Sequence, residues 1–174
     1  GGAIVANAAV LLLGGIETTE GMIASALYFL LTNRAWVQRV RENNSLVPAV
    51  IEETLRLEPA AGVVDRYATR DARLGQANIA AGDLVRVSLS GANRDAAVFP
   101  EPDHFDPLRS NLRDHVAFAQ GPHVCLGLHL ARLEAQLAVE QVLARLPGVA
   151  LREPEAARPQ GLVFRKPEAL RVSW

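Results

Sequence analysis

"FAQGPHVCLG", Phe118 to Gly127, carries the only cysteine among 174 residues. Glycine and proline punctuate the stretch, and an apolar helical pattern follows it directly. Cys125 therefore stands where a loop meets a helix N-terminus. There the positive end of the helix dipole and the free backbone N–H groups favour a thiolate. Gly121 and Gly127 let the backbone approach something flat or bulky. His123 can donate a hydrogen bond to an anion. Three readings of the thiol compete: an inert buried cysteine, since free cysteine is among the most buried residue types; a nucleophile, which needs a base such as His104, His115 or His129; and a metal ligand. Zinc has little support, because no Cys-x-x-Cys or His-x-x-x-His pair exists in the chain.

Working outward, Leu126 to Leu146 reads as an amphipathic helix. Leu126, Leu130, Leu133 and Leu137 share one face, and His129, Arg132, Gln136 and Glu140 share another. Pro147 and Gly148 stop it. Upstream, Gly91 to Pro122 holds four prolines and few periodic runs, which predicts a long irregular loop, a feature that is usually functional. Val63 to Ala68 and Leu84 to Ser90 read as strands. A helix begins after Ser45, taken as its N-cap, and ends before Pro59. A short helix covers Ala35 to Glu42. Leu162 to Arg165 and Leu170 to Trp174 predict a hairpin turned at Pro167. The fold class is mainly α with small β-sheets (α+β).

The first element, Ala3 to Leu31, is helical and apolar almost all round. It would be roughly 43 Å long, against a radius of gyration of about 16 Å for a chain of this size. Such a helix belongs in the middle of a protein. The expectation is that residues 1–174 form one part of a larger domain. The net charge of −1 leaves no electrostatic footprint for nucleic acid. The longest apolar run, Ala8 to Ile16, is far short of the ~20 residues that cross a bilayer. With no basic leader and one cysteine, the reading is a soluble cytoplasmic protein with no membrane partner.

Two further clusters carry chemistry. In "GGIETT", Gly14 and Gly15 each cost about 1 kcal/mol in a helix interior and leave room for a ligand against the backbone. Glu17, Thr18 and Thr19 set an acid and hydroxyls in an apolar stretch, which suits either helix packing with a polar outer face or proton delivery. In "IEETLR", Glu53 and Arg56 stand at i and i+3 and can pair.

Together these clusters resemble the cytochrome P450 family, the haem-thiolate monooxygenases, and most closely its soluble bacterial branch. "GGIETT" is similar to the oxygen-activating motif of the family's long central helix. "ETLR" is similar to its Glu-x-x-Arg motif. "PDHF", Pro102 to Phe105, stands where the family has Pro-x-Arg-Phe. "FAQGPHVCLG" is similar to the haem-binding loop, and "DRYATRD" to the segment whose arginine, here Arg66, contacts a haem propionate. The resemblance runs the length of the chain, which corresponds to the C-terminal part of a single P450 domain without its N-terminal half.

The resemblance implies haem b (iron protoporphyrin IX) with Cys125 as axial iron ligand, and a loop formed with Phe118 and Gly127. Gly14 and Gly15 would make room for dioxygen, and Glu17 and Thr18 would form the proton relay. Arg66 and His123 would donate to the propionates. Glu53, Arg56 and His104 would form the structural triad, with His104 replacing the usual arginine. Ala119 stands where glycine is common, a change expected to be tolerated. The implied reaction inserts one oxygen atom from dioxygen into a small apolar substrate. Its electrons come from NAD(P)H through a ferredoxin-type donor. The alternatives are a peroxide-driven haem enzyme, a non-catalytic haem-binding fragment or scaffold, and a cysteine hydrolase. Alone, residues 1–174 are expected not to form a working enzyme.

Overall fold

In the computed structural model, which describes residues 2–174, the apolar N-terminal sequence forms one 31-residue helix, α1 (Gly2–Thr32). Its two halves differ in surroundings. From Met22 onward it runs through the core, with Ala26 and Leu30 fully buried. Before Ile16 its side chains are exposed, Ile4 and Leu13 by three quarters. The helix is long and apolar enough to cross a bilayer by length and composition. Its buried second half gives it the character of an internal helix.

Helix α2 (Arg34–Glu42) follows, capped by Asn33, whose Oδ1 accepts from the Trp36 N–H. Helix α3 spans Val47–Leu57 after a short 3-10 turn, Asn44–Leu46. Ser45 is not its N-cap. The capping side chain belongs to Asn43, whose Oδ1 accepts from Ser45 N–H at 3.1 Å, and that bond serves the 3-10 turn. Pro48 occupies the first turn of α3, where its missing N–H is harmless. Every residue of α3 from Val50 to Leu57 is buried, including Glu52, Glu53 and Arg56.

Strands β1 (Val63–Tyr67) and β4 (Leu84–Ser88) pair antiparallel, Val63 opposite Ser88 and Tyr67 opposite Leu84. Between them lies a small hairpin of β2 (Ala72–Leu74) and β3 (Ala77–Ile79). It turns at Gly75, whose φ of +59° explains the glycine. One helical turn, α4 (Leu89–Ala92), leads into the long irregular stretch.

Helix α5 runs over Leu128–Arg145. Its buried row is Ala131, Ala135, Val139 and Leu143, spaced by four. Small residues there let α5 pack closely on α1 and α3. The leucine row is the outer one: Leu130, Leu133 and Leu137 are about half exposed and Leu126 is 86% exposed.

The C-terminal hairpin forms differently from expectation. Strand β6 (Val172–Ser173) pairs with β5 (Ala150–Leu151). Leu162 to Arg165 instead curls on itself, with Gln160 bridged to Lys166 and Phe164 to Ala61. The turn lies at Gly161, φ +115°, where any Cβ would sit 2.0 Å from the Phe164 carbonyl oxygen. Glycine alone fits that position. Runs of four or five residues hold too little alternation to name their own partner.

Candidate functional site

Helix α1 and the cysteine loop enclose a cavity of about 380 Å³. Gly14, Gly15 and Thr18 line it from α1, and Phe118, His123, Cys125 and Gly127 from the loop. Two clusters separated by a hundred residues of chain thus share one largely apolar space. A Cβ built on Gly14, Gly15, Gly121 or Gly127 would meet no atom within 4 Å. The backbone is cleared on the two sides of the cavity. A single thiol beside an apolar slot with bare backbone on both faces fits a flat, apolar group that would carry its own metal.

The loop is held by its own main chain. The Cys125 N–H donates to the Phe118 carbonyl at 2.9 Å, and the Val124 N–H to the Gly121 carbonyl at 3.1 Å. Gly121 adopts φ +75° and Ala119 φ +60°. For alanine that conformation carries strain.

Of the expected residues, Thr18 lines the cavity while Glu17 and Arg66 do not. The Thr18 hydroxyl donates to the Gly14 carbonyl, the helical back-bond of a mid-helix threonine. The Glu17 carboxylate turns outward, 54% exposed, with Oε1 3.6 Å from Lys166 Nζ. Lys166, the only lysine in the chain, also approaches Glu20 at 3.3 Å. Gly21 leaves space for it, since a Cβ there would sit 3.2 Å from Lys166 Cβ. Arg66 lies exposed on β1, its Nη1 donating to the Asp65 carbonyl at 2.8 Å.

Behind the cavity, Glu53 and Arg56 form a bidentate pair, both bonds 2.8 Å and both side chains fully buried. The remaining Arg56 donors reach the carbonyls of Asn93 (3.0 Å), Pro102 (2.7 Å) and His104 (3.1 Å). All five guanidinium N–H groups are thereby satisfied. His104 contributes its carbonyl to this cluster, and its side chain is exposed. The additional charged member is Arg109, whose Nε lies 3.3 Å from Glu53 Oε1 with its side chain 7% exposed. Sequence reasoning missed Arg109 because nothing in an aperiodic loop marks which side chain turns inward.

A second buried cluster was also missed. Glu52 receives two hydrogen bonds from Arg132, one of 2.9 Å to Oε2, and lies 3.0 Å from His115 Nε2. Burial pushes the Glu52 carboxyl up, but the hydrogen bonds from His115 and Arg132 and the Arg132 charge outweigh this and hold it at about 2. The only sequence signal was the doubled acid, Glu52-Glu53, on a helix that is buried all round.

A family described as Cytochrome P450 matches residues 2–169. Among curated relatives, Cytochrome P450 107B1 of Saccharopolyspora erythraea is 42% identical over 151 residues, which is 86% of this chain and 37% of the relative. The 20-oxo-5-O-mycaminosyltylactone 23-monooxygenase of Streptomyces fradiae is 42% identical over 146 residues, 84% of this chain and 34% of the relative. Among solved structures, CYP109E1 from Bacillus megaterium in complex with testosterone superposes with a TM-score of 0.91 at 30% identity, covering 97% of this chain and 47% of that one. P450BioI, in complex with hexadec-9Z-enoic acid ligated acyl carrier protein, superposes at 0.88 with 37% identity, covering 95% and 42%. The chain spans about a third of the length of the curated relatives it matches.

Proposed function

The chain belongs to the cytochrome P450 family, and on that premise we propose that it forms the cysteine-bearing part of a haem-thiolate monooxygenase. The whole protein would insert one oxygen atom from dioxygen into a small apolar substrate. Electrons would come from NAD(P)H through a ferredoxin-type donor, in the cytoplasm. The observation that carries this reading is the shared cavity: Cys125 on one side, Gly14, Gly15 and Thr18 on the other.

Bound haem b would supply oxygen activation, which electron donation from a thiolate ligand would assist. The chain's own residues do the rest. Cys125 Sγ provides the ligand. Gly14 and Gly15 keep the opposite wall clear. Thr18 Oγ1 spends its proton on the Gly14 carbonyl, so its lone pairs remain to accept a hydrogen bond from a cavity ligand. Glu17, whose carboxylate lies half in solvent beside Lys166, would carry protons from bulk water toward the cavity after turning away from that lysine. His123 and Arg66 are donors suited to propionates. The Glu53–Arg56 pair holds the loop behind the thiol.

The test is the reduced carbonyl spectrum of the haem-loaded protein that carries this chain. A red-shifted Soret band is expected for the natural sequence and its loss for Cys125→Ser. An unchanged band in that variant would overturn the assignment.

A further inference from the structure

Glu52 and Glu53 are consecutive on α3 and buried, at 4% and 0% exposure, yet their carboxylates serve different stretches of chain. Glu53 takes the Arg56 guanidinium that gathers the carbonyls of Asn93, Pro102 and His104. Glu52 takes Arg132 on the first turns of α5 and His115 ahead of the cysteine loop. One carboxylate therefore grips the chain on both sides of Cys125.

The grip continues to the loop itself. The Ala117 N–H donates to His115 Nδ1 at 3.2 Å. Nδ1 is then the acceptor, so Nε2 carries the proton and donates to Glu52. The Arg132 guanidinium carbon lies 4.6 Å from the centre of the Phe118 ring, a cation–π contact. The Phe118 carbonyl accepts the Cys125 N–H at 2.9 Å. From Glu52, two short routes converge on Phe118 and from there on the backbone of Cys125. One runs through His115 and Ala117, the other through Arg132.

We propose that Glu52 is a positioning residue for the cysteine loop: its buried carboxylate ties His115 and Arg132 together at the base of the loop and so fixes the backbone that presents Cys125. Closing a loop at its base removes the conformational freedom of everything inside it. The tie sets the carboxylate against the guanidinium, with the imidazole bridging to the main chain. The proposal rests on the haem-thiolate reading only for what the loop holds, and the geometry of the tie is independent of it.

The experiment uses the holoprotein that carries this chain and reads two quantities. One is amide hydrogen exchange across Phe118 to Gly127. The other is the rate at which the reduced carbonyl complex loses its red-shifted band. For Glu52→Ala both should rise by about tenfold, the scale of losing a buried charged partner, while exchange in the second half of α1 stays near the natural value. Glu52→Gln keeps an acceptor for His115 and should fall between. If Glu52→Ala does not fold, Arg132→Lys and His115→Gln each release one side. Arg132→Lys retains charge against Glu52 but loses the planar contact with Phe118, so loop exchange should rise with little change in melting temperature. Loop exchange within twofold of the natural protein in these variants, or a rise spread evenly over all helices, would overturn the proposal. A natural protein without the red-shifted band, but with selective loop loosening in the variants, would sink the haem-thiolate reading and leave the tie standing.

Discussion

Arg109 Nε lies 3.3 Å from Glu53 Oε1, and its two terminal nitrogens reach the carbonyls of Pro100, Glu101 and His104. It stitches the long loop to α3 alongside Arg56. The loop's charged partner for Glu53 is thus five residues beyond the histidine that the family pattern points to.

Arg109→Ala should therefore destabilise the protein more than His104→Ala. Removing Arg109 strips one partner from a buried carboxylate and frees the Pro100 and Glu101 carbonyls, worth about 1–3 kcal/mol. His104 acts through its carbonyl and its side chain is exposed, so its truncation should stay within about 0.5 kcal/mol, as surface substitutions usually do. Chemical denaturation of the two variants checks this. Equal losses would return the role to the imidazole.

Ala119 lies in the left-handed region at φ +60°, where a Cβ is crowded against the backbone. Ala119→Gly should stabilise the protein by about 1 kcal/mol, the cost per residue of that conformation less the glycine's extra unfolded entropy. The measurement is thermal unfolding of the haem-loaded protein, where a higher midpoint is expected. A lower midpoint would mean that Ala119 makes a contact worth more than its strain. The substitution tolerated in this loop is thus tolerated at a price.

Glu52 makes stability depend on acid. Its folded value, about 2, lies below the ordinary 4.5. A group whose value is depressed on folding contributes its stability above the unfolded value and loses it as pH falls through the folded one. The displacement is worth about 3 kcal/mol on that footing. This contribution should be intact above about pH 5 and fade from there toward pH 2. Glu52→Gln should be less stable at neutral pH and show a shallower acid decline. Parallel declines in the two proteins would assign the acid sensitivity elsewhere.

Thr18→Ala should leave haem bound and divert reducing equivalents to peroxide or water. Thr18 lines the cavity, and truncation to alanine removes its hydroxyl, the hydrogen-bonding group it brings there. The ratio of product formed to NAD(P)H consumed is the readout, and it should fall by about a hundredfold, the low end of what a positioned proton-transfer group contributes. A ratio equal to that of the natural protein would move the relay to Thr19, which also lines the cavity.

Local order was largely legible in the sequence, because local order is what periodicity and punctuation encode. The gap between "GGIETT" and "FAQGPHVCLG", the proline-rich stretch between the strands and the cysteine, and the i, i+3 spacing of Glu53 and Arg56 could all be read directly. The last needed no tertiary knowledge, since three residues on a helix bring side chains together. Tertiary structure decided direction. On α5 the leucine row looked like the core face, but the alanine row is buried, because close approach to α1 favours small side chains over apolar area. Glu17 turned out toward Lys166, a residue 149 positions away that no helical pattern could supply. His104 gave way to Arg109, and Glu52 found His115 and Arg132, because an aperiodic loop carries no phase from which to infer where a side chain points. Those contacts are fixed by packing between distant segments.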